Sequence, residues 1–385
     1  MNLNDGDERP DEAWQAHMPA RPPDPAPGLA SVDRADAAPA SAEPPPATAP
    51  PAASVSSRPM PRASVVVPTC LRPDFLLRCL HALVQQDLPK EQYEIIVVDA
   101  CASQETRRIV MAVARRCNGT PAVQYLIADD ASGLAAARNR GWMYARGAVI
   151  AFTDDDAVPD SDWLRQGMAA LTPNIAAVSG DVVAPLPVAA GHHERQVAVQ
   201  REGEFMSANC FVHQRALSTV GGFDERFSEG WRDDADLHFS LMERFGGQLR
   251  IRHEPRARVV HAVAPAAWGA SLAQQRQLQF DALLYRKHPG LYRSRIQQLP
   301  RWDYYAIVIA AALALAAAPF SGLYTAVMAA SVWSVLTVRC CIERLTGSPL
   351  TVRHTVQAIG AAVAVPPLAV FWRVVGALRY RKLLA

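Results

Sequence analysis

Ala148-Val149-Ile150-Ala151-Phe152-Thr153-Asp154-Asp155-Asp156 is an apolar run that stops abruptly in three carboxylates, just before Ala157-Val158-Pro159. The β-branched and aromatic content of the run fits a buried strand, so the acids stand at its carboxyl end. Neighbouring carboxylates repel one another at neutral pH, and gathering three of them is favourable when a cation compensates. Hard oxygen ligands suit Mg2+ or Mn2+, ions that share their coordination with waters and substrate phosphates. The same residues also read as a solvated acidic turn or a cap for a helix opening near Asp162-Trp163-Leu164.

Outward from this run, short β-branched segments recur at Ser64 to Pro68, Glu94 to Val98, Val123 to Ile127, Ala176 to Val183 and Ala257 to His261. Between the first two, Phe75, Leu76, Cys79, Leu80, Leu83 and Val84 share one helical face, in a segment that opens at Pro73. Strands alternating with helices predict an α/β domain with a mainly parallel sheet, whose ligands bind beyond the carboxyl ends of the strands.

This domain is expected over 62–300, between two regions of different composition. Residues 1–61 are dominated by Ala, Pro, Ser and Asp, with runs such as Glu43-Pro44-Pro45-Pro46, and bury too little to offset ordering entropy; a disordered tail is expected. Residues 301–385 are expected to form a membrane region. Ala306 to Phe320 and Leu323 to Val338 are uncharged apolar spans joined by Pro319-Phe320-Ser321-Gly322, which predicts a membrane hairpin over about 304–341; a buried helical pair is the alternative. Arg293, Arg295 and Arg301 precede the pair and Arg339, Arg344 and Arg353 follow it, which places both ends, and the catalytic domain, on the cytoplasmic side of an inner or plasma membrane. A third apolar stretch, about 355–378, is expected to be broken at Pro366-Pro367 and to be re-entrant or to lie in the interface, with Arg373, Arg379, Arg381 and Lys382 near anionic headgroups.

The 385 residues are half hydrophobic and carry a formal net charge of +2, which argues against a nucleic-acid binder and for small-molecule and lipid partners. Seven cysteines, at 70, 79, 101, 117, 210, 340 and 341, form no metal-like spacing and read as reduced thiols.

Four motifs in order carry a resemblance. Val65-Val66-Val67-Pro68-Thr69-Cys70-Leu71-Arg72-Pro73 resembles the opening strand and loop of family 2 glycosyltransferases, which have the GT-A fold. Glu94-Ile95-Ile96-Val97-Val98-Asp99 is similar to their second strand, Ser132-Gly133-Leu134-Ala135-Ala136-Ala137-Arg138-Asn139-Arg140-Gly141 to a following helix, and Asp154 to Asp156 to their DXD element. The resemblance covers about Ala63 to Val263. It implies a nucleotide-sugar donor, with Thr69 and Arg72 lining its pocket, Asp99 facing the base, Arg138 supporting the nucleotide, Asp154 or Asp155 on the ribose and Asp156 on a divalent metal that bridges the diphosphate. Arg138 as a surface arginine of an amphipathic helix is the competing reading. Family members often follow the first acid with a second acid or Asn, whereas Ala100 and Cys101 follow Asp99 here, which leaves the base open.

Val220-Gly221-Gly222-Phe223-Asp224-Glu225-Arg226-Phe227, then Trp231-Arg232-Asp233-Asp234-Ala235-Asp236-Leu237, resembles the family's Gly-Gly-Phe-Asp-Glu and Glu-Asp segments. Leu237, Leu241 and Phe245 recur at helical spacing, so Asp233 and Asp234 open a helix whose macrodipole favours an ionised carboxylate. The resemblance makes Asp234 the base that deprotonates an acceptor hydroxyl, with inversion at the sugar, and sets Trp231 and Asp233 on the acceptor side; simple capping is the alternative. His261 ends the strand Arg256 to His261, and where family members have a matching His it completes the metal site; a structural His is the plainer reading. His192 and His193 receive no role.

Gln298-Leu299-Pro300-Arg301-Trp302 matches the Gln-x-x-Arg-Trp string of processive members, but Pro300 disfavours the required helix, and Arg301 and Trp302 suit a membrane-interface anchor. Transfer of one or few sugars to a lipid-linked or cell-envelope acceptor is therefore expected. The alternatives are a nucleotidyltransferase, which lacks its Gly-rich loop after Pro68, and a non-catalytic membrane scaffold that binds nucleotide-sugar.

Overall fold

A computed structural model of the chain describes residues 60–128, 133–246, 250–296, 302–320 and 322–381. The expected tail lies outside the described residues except for Met60 and Pro61, as do Ser132, the stretch from Gln298 to Arg301, and Lys382.

Eight strands form one sheet: β1 (Ala63–Thr69), β2 (Tyr93–Asp99), β3 (Ala122–Ile127), β4 (Val149–Thr153), β5 (Val158–Pro159), β6 (Ile175–Val183), β7 (Asn209–His213) and β8 (Arg250–Val260), in the order β3-β2-β1-β4-β7-β6-β8-β5. The pairs β1-β2, β2-β3, β1-β4 and β6-β8 are parallel, while β7 runs antiparallel to both β4 and β6. β5 pairs antiparallel with β8. The mainly parallel half is thus β3 to β4. β7, Asn209-Cys210-Phe211-Val212-His213, is a central strand with no alternation to announce it, because both its faces are covered.

Helix α1 (Pro73–Val84) starts with Pro at its first position and packs Leu76, Leu80 and Leu83 beneath Val65 and Val67 of β1. Helix α2 (Gln104–Arg116) follows β2, with Ser103 as its N-cap accepting from Thr106 N. Helix α3 (Gly133–Tyr144) covers the other face, where Val66, Ile96, Val98, Ile150 and Phe152 are buried. Successive residues of β1 therefore enter opposite cores, which is why the strand reads as a continuous apolar run. Gly141 lets α3 approach closely, since a Cβ there would meet Val66 Cγ1 at 2.3 Å. Helices α4 (Trp163–Ala170), α5 (His192–Arg201), α6 (Gln214–Val220), α7 (Asp233–Phe245) and α8 (Gln279–Lys287) complete this part.

Because β2 and β3 lie on one side of β1 and β4 on the other, a crevice opens at the carboxyl ends of β1 and β4. The loop after β1, the end of β2 and the acidic triplet after β4 converge there.

Three apolar helices follow: α9 (Trp302–Phe320), α10 (Leu323–Leu345) and α11 (Val352–Arg379). By length and composition α10 and α11 suffice to cross a membrane, whereas the apolar stretch of α9, Trp302–Ala317, is shorter. The expected break at Pro366-Pro367 does not occur, because α11 is one helix of 28 residues containing both prolines. Ala358, Ala361, Ala362, Val365, Pro366 and Ala369 are buried in its contacts with α9, α10 and the turns 270–278, and that packing outweighs the missing N–H donors. Both ends of α11 also meet the α/β domain. Arg353 donates to Ala266 O, Arg379 donates to Gln279, and a Cβ on Gly376 would lie 2.3 Å from Gln279 O.

One expectation about cysteine fails. Cys70 and Cys101 form a disulfide, with Cα atoms 5.1 Å apart, whereas Cys79, Cys117, Cys210, Cys340 and Cys341 are free thiols. The reason is register: Thr69 pairs with Asp99 across β1 and β2, so the residues that follow each strand meet above the crevice.

Candidate active site

The acidic triplet divides into three environments. Asp154, at the edge of the cleft, accepts from Arg138 Nη2 at 2.8 Å. Asp155 turns inward and is fully enclosed; it accepts from Thr69 Oγ1 at 2.7 Å and lies 2.6 Å from Arg72 Nη2. Burial, only partly offset by Arg72 and Thr69, pushes its carboxyl up to about 6. Asp156 faces His261 Nε2 at 2.8 Å, Arg72 Nη1 at 2.9 Å and Arg201 Nη2 at 3.4 Å. Burial works against its ionisation, yet His261, Arg72 and Arg201 hold it well below the usual carboxylate range.

One oxygen each from Asp154 and Asp156 and a ring nitrogen of His261 lie within 4.8 Å of one another. His261 is buried, and beyond the contact of its Nε2 with Asp156 its Nδ1 has no hydrogen-bond partner, a costly arrangement for a buried nitrogen. Two carboxylates and an imidazole suit Mn2+ or Mg2+, so these residues fit a divalent ion. Asp156 and His261 are the two ligands named from sequence; Asp154 joins them.

Arg138 connects the two halves of the cleft. Its side chain is 3% exposed, its Nη1 donates to Asp233 Oδ2 at 2.8 Å, and its guanidinium lies 5.5 Å from the centre of the Phe223 ring. A surface arginine is thereby ruled out. The adjoining Asn139 holds the Gly-Gly-Phe-Asp-Glu loop against α3, since Asn139 Nδ2 donates to Phe223 O and Phe223 N donates back to Asn139 Oδ1. Asp233, assigned to the acceptor side from sequence, is enclosed and serves Arg138.

Asp234 stands beside it, partly exposed, at the first turn of α7, with Ala235 N donating to its Oδ1 at 2.7 Å. Burial first, then the Asp233 charge, push Asp234 up to about 7, so the helix terminus does not keep it fully ionised as expected. Arg232, just before α7, sits at a positive φ of 70°, pairs with Asp281 of α8 at 2.8 Å and stacks 4.6 Å from the Trp231 ring. The indole N–H of Trp231 is buried without a partner.

Asp99 is fully enclosed at the end of β2. Its carboxylate accepts from Cys101 N, Ser103 N and Tyr125 Oη, so it organises the loop that the disulfide also fastens. Sequence reasoning missed that pairing, and it missed Arg201, whose guanidinium donates to His261 O and Ala262 O as well as reaching Asp156. Nothing local marks Arg201; only the return of α5 to the cleft gives it a role. Lys287 was missed for the same reason, and it joins Asp224 to Asp236.

The family profile described as Glycosyl transferase family 2 matches residues 64–201. The chain is 27% identical over 191 residues to glycosyltransferase AglE of Haloferax volcanii, covering 47% of this chain and 60% of that one. It is 28% identical over 110 residues to the poly(ribitol-phosphate) beta-N-acetylglucosaminyltransferase TarS of Staphylococcus aureus, covering 29% and 19%. The chain thus spans less than two-thirds of either relative's length. Its fold is similar to that of the mannosyltransferase PcManGT from Pyrobaculum calidifontis, solved with GDP-Man and Mn2+, at 20% identity and a TM-score of 0.52, over 79% of this chain and 87% of that one. The matched segment runs from β1 through α5 and holds the acidic triplet, Arg138 and Arg201, so it is this part of the chain that is similar to glycosyl transferase family 2.

Proposed function

We propose that the chain is an inverting, metal-dependent glycosyltransferase that moves a sugar from a nucleotide-sugar to a hydroxyl of a lipid-linked or cell-envelope glycan acceptor. The observation that carries this reading is Arg138, which joins Asp154 of the metal-type cluster to Asp233, the neighbour of Asp234, across one cleft. Asp154, Asp156 and His261 would hold the divalent ion, and the part-exposed Arg72 and Arg201, which both reach Asp156, would supply positive charge to the donor's diphosphate beside it. A divalent ion held there supplies Lewis-acid stabilisation of the departing nucleoside diphosphate. Asp234 accepts the proton of the acceptor hydroxyl as its oxygen bonds to the anomeric carbon from the face opposite the leaving group, which inverts that centre. A carboxylate with a pKa near 7 is well matched to this task, being half ionised at neutrality.

Membrane association is part of the proposal. α9 and α10 form an apolar hairpin with outward Leu313, Leu315, Val327, Met328 and Val335. Attachment of α11 to the α/β domain at both ends supports a helix lying in the interface. The arginines flanking the hairpin support a cytoplasmic catalytic domain. The test is a panel of nucleotide-sugars with and without Mn2+, read by thermal stabilisation and then by nucleoside diphosphate release in the presence of membranes. A panel without any metal-dependent binder would overturn the reading.

A further inference from the structure

A second cavity, of about 190 Å3, lies away from the acidic triplet, between the first turn of α5, residues 266–272, the end of α10 and the start of α11. Arg344 of α10 lines it and is only 7% exposed. Its Nε has no partner, its Nη2 reaches Tyr304 Oη only at 3.4 Å, and no carboxylate pairs with it among the described residues. A buried guanidinium without a counter-charge is costly, and an anion in the cavity removes that cost.

The other walls offer donors. Gly191 is the N-cap of the ten-residue α5 and has no side-chain oxygen for the first-turn N–H groups. His192, His193 and His354 contribute imidazoles, and the His354 ring packs against Gly191, with Cδ2 at 3.0 Å from a Cβ built there. Burial first, then the charges of Arg344 and Arg195, push His192 down to about 4, so it is a neutral donor at physiological pH. The one acid, Glu194, is already engaged, accepting from Gly191 N and Ala266 N at 3.0 Å each. Metal binding is not favoured, because these histidines do not bring three ligand atoms together among the described residues.

Location indicates how the anion arrives. The contact with Tyr304 puts Arg344 at the level of Trp302, Tyr304 and Tyr305, the aromatic end of the hairpin. Aromatic side chains and arginines gather where a bilayer meets water.

We propose that this cavity binds a phosphate group presented at the membrane surface, with Arg344 as its charge and the α5 terminus, His192, His193 and His354 as its donors. The proposal rests on the membrane-associated reading above and not on glycosyl transfer. It gives α5 a second role: the helix runs from the phosphate to Arg201 at Asp156, roughly 14 Å along its axis at 1.5 Å per residue, and so sets the catalytic cleft in register with the bilayer.

The test uses the full chain in phosphatidylcholine nanodiscs, titrated with short-chain phosphatidic acid, inorganic phosphate or short-chain diacylglycerol, and read by the shift in Tm. Saturable stabilisation by phosphatidic acid is expected, weakened about tenfold or more in Arg344→Gln and less in His354→Gln. Inorganic phosphate acting at similar concentration would assign the site to free phosphate; a much weaker effect would assign it to a lipid phosphate; both retain the phosphate chemistry. An equal shift with diacylglycerol, no shift with either phosphate, or unchanged affinity in His354→Gln where Arg344→Gln fails to fold, would overturn it. Nucleoside diphosphate release reports on the transferase reading separately.

Discussion

Asp156 and Asp234 share one cleft and sit at opposite ends of the ionisation range. Burial pushes both carboxyls up, but Asp156 has His261, Arg72 and Arg201 around it and stays well below the usual range. Asp234 has Asp233 beside it, and the nearby guanidinium of Arg138 is already shared between Asp154 and Asp233, so it rises to about 7. The lesson is that the cations in direct contact with each carboxylate, and not helix or strand position, decide which one stays ionised and which one titrates near neutrality.

The comparison breaks most directly at Asp234. Exchanging it for Asn is expected to lower kcat by about 10³-fold, within the range for loss of a general base, while donor affinity stays within about twofold. Initial rates with calorimetric donor binding check this, and an active Asn variant would remove Asp234 from the mechanism.

Next in size is Arg138→Met, which leaves Asp154 and Asp233 without their shared cation. A loss of about 3–5 kcal/mol is expected from breaking such a buried network, with Tm falling by roughly 10 °C. Adding Asp233→Leu should recover part of that loss, and a double variant no better than the single one would show that Asp233 does not depend on Arg138.

On the other side of the comparison, His261→Gln is expected to weaken Mn2+-dependent thermal stabilisation by at least about tenfold. Asp155→Asn should leave that stabilisation intact, because Asp155 faces Thr69 and Arg72 instead of the cluster. Equal losses in the two variants would abolish the division of the triplet.

The sequence made the parallel half of the sheet legible, because β1, β2 and β4 are continuous apolar runs that end in Thr69, Asp99 and Asp154. Ordered motifs singled out Asp156, His261 and Asp234, but they gave Asp154 to the ribose and not to the metal-type cluster that it joins. What stayed hidden depends on chain segments distant in sequence coming together. The Cys70–Cys101 pairing needs the β1-β2 register, Arg201 needs the return of α5, and the enclosure of Asp233 needs α7 docked against α3. The unbroken α11 was hidden because local proline chemistry competes with packing that only the tertiary fold supplies. Gly141 illustrates the same point at one atom: Gly141→Val would press on Val66 and displace α3, costing about 1–3 kcal/mol. Urea unfolding of the variant measures that cost, and an unchanged midpoint would mean that α3 can shift without disturbing Arg138.

The smallest expected effect is also the one that tests the ionisation contrast without any substrate. A carboxyl whose folded pKa is raised favours the fold while protonated, so its contribution is fully present below the ordinary carboxylate range and is lost as pH rises through about 7. Asp234→Asn keeps the neutral form at every pH. In metal-free buffer its Tm should therefore match the wild type near pH 4 and exceed it at pH 8, by an amount on the order of 1 kcal/mol, because protons are shared across the Asp233–Asp234 pair. At Asp156 the sign reverses: a lowered pKa gives stability that is present at neutral pH and lost on acidification, so Asp156→Asn should be less stable than wild type at pH 8. Two Tm curves with the same sign of difference at pH 8 would show that burial alone governs both carboxylates and that the cations around Asp156 contribute nothing to the contrast.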